Sequence, residues 1–587
     1  MADLTETTLE AADAAVIEAV SAERIEAELR WFAENGNRLG GSPGERAAAE
    51  HVARPLAADG IETELLEFPS YVSYGDDPMS CGPAYVEADG GTLRCDGRIY
   101  AFAASTGAHG VEAELVWAGS GAPSEYAERG LDPRGKLVLT ELSFDAPHGE
   151  PARVAEELGA LGVVVMNWSD EHPDYIHTGT ARAVWGNPTP DELDDLPGIP
   201  MVAISRRYGL ALRERVERGD GFRVRVHART HNRWVTSTMP VAHVAGSSDR
   251  FVLVYCHLDS WGPGMTDNAS GAIGLMELAR VLHAHRDRLG YSVRFAWCAC
   301  HEMPYNGSTW YLDAHWDELR DRCVGVMNAD SWAIGESEGK LALWTFPELE
   351  AVMRGAVGDV VSEPFQTTDF DAKEAEQSFW ALGVPSTMVF SLNPRYDERE
   401  GMEYLGPWFH TEYDTVEHVG RAALRELVQI YALGALRLST APHAPLAVGA
   451  LAARARDRVA ALAADAPASL GMGAAVAAAE RFASVANAAE ARLPELERER
   501  VDDVLLRVAG VVNPVIYTVA GRYKQDPCSA TYLRNRVPGL AQALERLAAA
   551  DAARDAGLAH AATMQALRER NRLVDALLEG TRLLEAL

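Results

Sequence analysis

Five residues of the types that bind divalent cations are spread through the middle of the chain. His257 and Asp267 lie ten positions apart in the runs Tyr-Cys-His-Leu-Asp-Ser and Thr-Asp-Asn-Ala-Ser-Gly, and Glu302, Asp330 and His410 follow. Two imidazoles and three carboxylates are enough to bind two divalent cations that share one bridging carboxylate. These residue types therefore predict a metal-dependent hydrolase.

The segment that carries these residues, 236–440, alternates apolar runs with helical patterns. Strands are predicted over 251–255, 292–300, 323–328 and 386–390, and helices over 269–283 and 309–319. Continuous apolar strands between helices are typical of an α/β fold with a mostly parallel sheet sandwiched by helices. Ligands bind at the carboxyl ends of such strands. The five candidates follow those ends or lie in adjoining loops, which supports the metal hypothesis.

The N-terminal part, 1–75, reads as part of the same domain. Helices are predicted over 23–35 and 43–59, and a strand over 61–68. Ser42, Pro43 and Glu45 occupy the N-cap, first and third positions of the second helix, which is the pattern of a capping box.

Two further regions differ from these segments in predicted secondary structure and in composition. Residues 76–235 contain short strands and many turns, and a strand over 135–140, a helix over 150–161 and a strand over 162–166 resemble the protease-associated domain. Such an insert usually shapes substrate access. Residues 441–587 are rich in Ala, with apolar residues at helical spacing over 501–511 and 540–549, and predict an all-helical C-terminal domain. The expected domains are therefore 1–75, 76–235, 236–440 and 441–587.

Composition limits the class of protein. At 587 residues the chain is too long for one core. A formal net charge of −32 argues against nucleic acid as a partner. No apolar run is long enough to span a bilayer, so no membrane partner is expected. An acidic N-terminus favours a cytoplasmic location, and seven scattered Cys favour buried reduced thiols over a disulfide framework.

The order and neighbours of the candidate ligands match one known pattern. The chain resembles the co-catalytic zinc peptidases, which include bacterial leucyl aminopeptidases, glutamate carboxypeptidase and the catalytically silent transferrin receptor. The motifs that carry this resemblance are His257-x-Asp259, Thr266-Asp267-Asn268-x-Ser270-Gly271, Glu302-x-x-x-x-Gly307-Ser308, Asn328-x-Asp330, Gly383-Val384-Pro385-Ser386, His410-Thr-x-x-Asp414-Thr415 and the opening segment Arg38-Leu-Gly-Gly-Ser42-Pro-Gly-Glu45.

The resemblance implies a role for each ligand. His257 and Asp330 would bind one metal ion, Glu302 and His410 the other, and Asp267 would bridge them. The implied cofactor is Zn²⁺, one or two per chain, with another divalent transition metal as the alternative. By the same analogy, a homodimer formed through the helical tail is expected.

Asp259 is a candidate catalytic residue. It follows His257 by two residues and therefore points the same way from a strand, so it is the natural acceptor for the imidazole N–H. Asp414 offers a similar partner near His410 or a helix cap, and Asn268 and Ser270 are expected to shape the loop and cap the following helix.

The pattern breaks at His301. Active members of the family have two adjacent Glu where this chain has His301 and Glu302, and the first of them is the general base. Three interpretations follow: His301 replaces the base, since an imidazole can move protons at neutral pH; it binds metal or substrate instead; or peptidase chemistry has been lost. The retention of all five candidate ligands argues against a loss of peptidase chemistry, because burying unpaired carboxylates destabilises the folded protein.

The favoured function is an aminopeptidase-like metal-dependent hydrolase. It would cleave an amide bond of a small peptide or N-acyl amino compound through a metal-bound hydroxide, with His301 handling the proton. The alternatives are a non-hydrolytic, lyase-type reaction at the same site and a silent dimeric scaffold. The candidate substrate contacts are Trp261, Tyr305, Arg395 and Tyr396, with Trp332 and Trp408 also near the motifs; core packing is the competing role for the aromatic residues.

Overall fold

The computed structural model describes most of the chain. The described residues are 11–76, 82, 84–143, 145–147, 149–181, 184–219, 221–335, 340–370, 376–392, 405–527 and 537–587. Arg395 and Tyr396, two of the predicted substrate contacts, lie outside these ranges.

From residue 11, where the described part of the chain begins, the N-terminal segment forms three helices and a long strand: α1 (Ala11–Glu18), α2 (Ala22–Glu34), α3 (Pro43–Ala58) and β1 (Glu62–Tyr74). Ser21 and Ser42 cap α2 and α3, because each hydroxyl accepts a hydrogen bond from the backbone N–H three residues on. The two predicted helices are confirmed, and the strand is longer than predicted because it pairs along its whole length with a later strand.

A seven-stranded closed barrel follows. Its elements are β2 (Ala84–Ala88), β3 (Leu93–Ile99), β4 (Val111–Trp117), α4 (Pro123–Glu128), β5 (Leu137–Glu141), α5 (Glu150–Glu157), β6 (Gly162–Met166), β7 (Met201–Ile204), α6 (Arg206–Glu217) and β8 (Arg223–His227). The strand order is β2-β3-β7-β6-β5-β4-β8. Strands β4 to β7 are parallel neighbours, and β5, α5 and β6 form the predicted strand–helix–strand unit. Its assignment to the protease-associated type stays a prediction, as do the domain boundaries.

The segment that carries the candidate ligands forms a layered α/β structure. Its elements are β9 (His231–Val244), β10 (Ser248–His257), α7 (Ser270–Ala284), β11 (Tyr291–Cys298), α8 (Asn306–Ala314), α9 (Trp316–Arg322), β12 (Cys323–Asn328), β13 (Leu341–Thr345), α10 (Pro347–Val360), β14 (Gln366–Thr368), α11 (Gln377–Trp380), β15 (Ser386–Ser391) and α12 (Arg421–Thr440).

These strands and β1 build one mixed sheet in the order β1-β9-β11-β10-β12-β15-β13-β14. The four central strands are parallel neighbours, whereas β9 and β13 pair antiparallel with β11 and β15. Alternate residues of β10 enter different cores: Val252 and Val254 pack with helices α7 and α12, and Leu253 and Tyr255 pack with α8 and α9. Burial on both faces explains the continuous apolar runs. The α/β class is thus confirmed in its coarser form, a mixed sheet with many helices.

One predicted element is wrong in its extent. The helix expected over 309–319 is two helices, α8 and α9, which meet at His315. The backbone angles of His315, φ −115° and ψ 27°, are not helical. The helical spacing of apolar residues continues across His315, so the sequence pattern does not predict the break between the two helices.

The C-terminal region is helical, as predicted. Its elements are α13 (Val448–Asp465), α14 (Gly473–Glu490), α15 (Arg498–Tyr517), α16 (Pro538–Ala552) and α17 (Ala556–Glu585). Residues such as Leu451, Phe482 and Leu505 belong to the same apolar core as α7 and α12, so the tail packs directly on the α/β layers. Among the helices of the described ranges, none is both long and apolar enough to cross a membrane.

Candidate metal centre

The five candidate ligands come together at one edge of the central sheet. His257 is the last residue of β10, and Asp330 comes two residues after β12, which pairs with β10 in parallel. Asp267 lies in the turn Met265–Ala269 before α7. Glu302 lies in the turn between β11 and α8, and His410 lies in the loop before α12. All five side chains are at least four-fifths buried.

Asp267 sits between the two imidazoles. Its Oδ1 is 3.0 Å from His257 Nε2, and its Oδ2 is 2.9 Å from His410 Nε2. His257 Nε2 also lies 3.2 Å from Asp330 Oδ1, and His410 Nε2 lies 3.2 Å from Glu302 Oε1. The side chains thus form two pairs that share Asp267, which is the grouping implied by the family resemblance.

The electrostatics show how much charge is concentrated here. Burial opposes ionisation of both histidines, but the surrounding carboxylates dominate: they raise the pKa of His257 well above its usual value and that of His410 to about 10. Burial also acts against an ionised Asp267, yet the two imidazoles hold its pKa below the usual range. The pKa of Glu302 is raised, with burial as the main cause.

A cation fits this cluster. The ligand atoms of His257, Asp267 and Glu302 all lie within 4.8 Å of one another, as do those of His257, His301 and Asp330. Within the described residues, the buried Oε1 of Glu302 accepts no hydrogen bond of good geometry. Imidazole nitrogens and carboxylate oxygens are the donors that zinc prefers.

Asp259 acts on the centre differently from the sequence prediction. The Nδ1–H of His257 donates to the backbone carbonyl of Asp259 at 3.0 Å, while the Asp259 carboxylate is 3.7 Å away. That carboxylate instead accepts the backbone N–H groups of His301 at 2.8 Å and Glu302 at 3.0 Å. The prediction of a carboxylate acceptor for the ring is therefore corrected: the Asp259 side chain holds the turn that carries Glu302.

Glu45 supports the same turn from the N-terminal segment. Its carboxylate accepts from Cys300 N, Gly41 N and Ser237 Oγ, each at 2.7 Å. Only one half of the predicted capping box forms, since the Glu45 side chain reaches the turn before α8 rather than Ser42 N–H. Burial and the nearby Asp259 raise the pKa of Glu45 to about 8.

Asp414 fixes the loop that contains Asp267. Its carboxylate accepts from Thr266 N at 2.9 Å, Thr266 Oγ1 at 2.8 Å and Asp267 N at 3.0 Å. Asn268 Oδ1 accepts from Gly271 N at the start of α7, as predicted for a residue that shapes this loop. Ser270 Oγ donates back to the Thr266 carbonyl. Asp414 therefore positions Asp267, and neither of its two predicted roles describes this contact.

Arg38 is a residue whose importance the sequence indicates only through its motif. It is fully buried, and its guanidinium donates to four backbone carbonyls, those of Gly36, Leu258, Pro263 and Gly264, at 2.9 to 3.0 Å. Burial lowers its pKa to about 10. It links the N-terminal segment to the loop between His257 and Asp267.

His301 lies against the ligands. Its ring stacks on that of His257, with centroids 4.0 Å apart and planes 12° apart, and its Nε2 is 3.9 Å from Asp330 Oδ2. Burial and the adjacent His257 lower its pKa to about 4, so the imidazole is neutral at pH 7. His301 Nε2 therefore lies on the Asp330 side of the centre.

Three of the aromatic candidates contact His301, His410 or the loop that carries Asp267. Tyr305 contacts His301 edge-on, with ring centroids 4.7 Å apart, and stacks on Trp185. The ring centroid of Trp261 lies 6.5 Å from that of His410, and Trp261 lines a cavity of about 370 Å³ together with Gly36, Thr178 and Thr411. Trp408 Nε1 donates to Thr266 Oγ1 at 3.2 Å. Trp332 is fully buried against Tyr431 and is a core residue.

Contacts from the barrel were missed by sequence reasoning. Thr178 N donates to the His410 carbonyl at 2.8 Å, and Gly186 N donates to the Pro304 carbonyl at 2.9 Å. These residues lie between β6 and β7, far from the motifs in sequence, and nothing in their local pattern marks them. The described cysteines, by contrast, are free and buried as predicted.

The two histidines and three carboxylates that this α/β domain brings together are the ligand set implied by the resemblance to two-cation metallopeptidases. The model of peptidase family M28 matches residues 241–433. This match, which covers about a third of the chain, confirms the resemblance to the co-catalytic zinc peptidases.

Relatives extend the likeness beyond that domain. The probable lipoprotein aminopeptidase LpqL of Mycobacterium tuberculosis is 25% identical over 422 residues, which is 67% of this chain and 79% of the relative. Aminopeptidase YwaD of Bacillus subtilis is 26% identical over 356 residues, 57% of this chain and 70% of the relative.

Solved structures share the fold. The Peptidase M28 precursor from Shewanella amazonensis matches with a TM-score of 0.58 at 19% identity, and an aminopeptidase from an Aneurinibacillus species matches with a TM-score of 0.54 at 21% identity. In each case 73% of this chain and 96% of the other chain are covered.

Proposed function

We propose that this protein is a two-zinc hydrolase that cleaves an amide bond of a small peptide or an N-acyl amino compound. The observation that supports this most is the sharing of Asp267: its two carboxylate oxygens face the imidazoles of His257 and His410 at 3.0 and 2.9 Å. Asp330 and Glu302 complete the two pairs. When bound, two such cations polarise a substrate carbonyl and lower the pKa of water.

The protein side chains would divide the remaining work. His257 and Asp330 would hold one cation, Glu302 and His410 the other, and Asp267 both. His301 would accept a proton at Nε2 from the attacking water and return it to the leaving amine, because it stands at the sequence position of the family's general base and its ring stacks on the candidate ligand His257. Tyr305 supports that ring edge-on, and Trp261 would line the substrate side of the His410 loop. A homodimer and a cytoplasmic location stay predictions from the sequence.

Metal analysis of the full chain tests the proposal. After extensive dialysis we expect one to two equivalents of zinc per chain, and we expect chelation to abolish amide hydrolysis and added zinc to restore it. Asp267→Asn should lower the zinc content, because it weakens the shared ligand, whereas Asp287→Asn, at an exposed position in a surface turn, should not.

A protein that carries no transition metal above trace level would contradict the proposal and favour the scaffold alternative. Zinc binding without hydrolysis in a broad amide screen would favour a non-hydrolytic reaction at the same centre.

A further inference from the structure

The ligands of the two proposed cations are supported in different ways. His257 and Asp330 come from neighbouring parallel strands that are joined next to them, since Ala329 N donates to the Tyr255 carbonyl at 2.7 Å. The sheet itself therefore sets their spacing. Glu302 and His410 lie in two separate loops, and the backbone of His410 is in the left-handed region, at φ 54°. Such a conformation in a residue other than Gly persists only when its surroundings hold it.

The barrel supplies part of those surroundings on the His410 side. In the connection between β6 and β7, described over 167–181 and 184–200, residues 175–178 lie beside the loop that carries His410. Thr178 N donates to the His410 carbonyl at 2.8 Å, and the Tyr175 ring stacks on Tyr413 with centroids 3.9 Å apart and planes 10° apart. The imidazole of His177 packs on His410 at 5.1 Å.

The same connection also reaches the Glu302 turn. Gly186 N donates to the Pro304 carbonyl at 2.9 Å, and Trp185 stacks on Tyr305 with centroids 3.8 Å apart. Gly186 has φ +78°, and a Cβ on it would lie 2.6 to 2.8 Å from three side-chain atoms of Thr309 in α8. A larger residue therefore could not keep this close approach.

We propose that the β6–β7 connection is a clamp that sets the spacing of Glu302 and His410 and thereby the affinity of the second cation. Tyr175, Thr178, Trp185 and Gly186 are positioning residues in this proposal. The barrel would then act on metal binding as well as on access to the centre. The inference rests on the proposed two-zinc function, because it concerns the second of the two ions.

Zinc titration of the full chain against a chromophoric chelator tests the clamp. His410→Ala identifies which binding step belongs to the Glu302 and His410 pair. Gly186→Ala and Tyr175→Ala should weaken that step about tenfold or more, the usual effect of removing support behind a metal ligand, and should leave the other step within about twofold.

Two matched controls separate the clamp from general damage. Gly219→Ala introduces the same backbone strain, at φ +72°, where a Cβ would meet nothing within 4 Å. Tyr208→Ala removes a partly exposed ring from α6. Both should bind zinc as the wild type does.

Two results would overturn the inference. If the wild type binds two ions and the clamp variants keep both constants, or weaken both steps equally, the clamp is wrong while the proposed function stands. If the wild type binds fewer than two ions at saturating zinc, the two-zinc function fails and the clamp fails with it.

Discussion

His301 is the single residue on which the proposed chemistry depends most. Its neighbours hold it closely: Asp259 accepts its backbone N–H, His257 stacks on its ring, and Tyr305 packs against its edge. These contacts hold the His301 ring in one orientation, and the proposed role in general acid–base catalysis depends on such a fixed orientation.

Substitution of His301 tests that role. His301→Ala should lower kcat by about a hundredfold or more, the usual contribution of a general base, with zinc content unchanged. His301→Glu restores a carboxylate base and should remain within about tenfold of the wild type. The measurement is the initial rate of amide hydrolysis at saturating zinc, with His285→Ala, at the C-terminal end of α7, as the control. Full activity in both His301 variants would show that another group moves the proton.

At this scale the sequence predicts residue types well and contacts less well. The five candidate ligands can be singled out from their order and neighbours in the sequence, and the structure brings their side chains together. The contact made by Asp259 could not be found, because the alternation of a strand stops at His257 and the chain turns there. Its carboxylate consequently faces the N–H groups of His301 and Glu302.

Among the structural elements, the loops around the centre owe their shape to two buried polar side chains from a distant segment. Arg38 and Glu45 lie on either side of the start of α3, and they reach the 258–264 loop and the 300–302 turn respectively. Their motif was visible in the sequence. The backbone carbonyls and amides that these two side chains bind could not be predicted, because the sequence does not show which backbone groups of a loop lack a partner within that loop.

Arg38→Lys should destabilise the protein by about 2–4 kcal/mol, because an ammonium cannot span four carbonyls and some of them would be left buried without a donor. Urea unfolding monitored by circular dichroism measures the change. Arg46→Lys is the control: Arg46 is an exposed residue of α3 with ion pairs to Glu50 and Glu67, and its substitution should stay within about 0.5 kcal/mol. Equal stability of the two variants would mean that the four hydrogen bonds of Arg38 do not contribute to the stability of the folded protein.

Across the whole molecule, the α/β layers and the helical tail share one core. The sequence separates the two regions by composition, since Ala-rich helices follow a segment rich in aromatic residues. It does not show that they pack together. The closed barrel could not be predicted from the sequence either, because pairs such as β2 with β8 join strands that are more than a hundred residues apart. Long-range pairing of this kind depends on the folded arrangement and leaves no local period in the sequence.

Buried polar groups cross the junction between the layers and the tail. Glu348, in α10, accepts a hydrogen bond from Asn513 Nδ2 of α15 at 2.7 Å. It is 2% exposed. Burial raises the pKa of Glu348 from 4.5 to about 7, although the Asn513 hydrogen bond acts in the opposite direction. The folded protein therefore holds a proton on Glu348 over a range of pH in which the unfolded chain releases it.

The junction should consequently weaken as pH rises. Below about pH 4.5 Glu348 is protonated in both states; between about 4.5 and 7 only the unfolded chain ionises, so stability falls, by up to about 3 kcal/mol in total. Glu348→Gln mimics the protonated side chain and should unfold at higher urea than the wild type at pH 8, with the difference shrinking towards pH 4.5. Glu363→Gln, at an exposed position, should show no such trend. A pH-independent difference for Glu348→Gln would mean that this carboxyl does not titrate on folding.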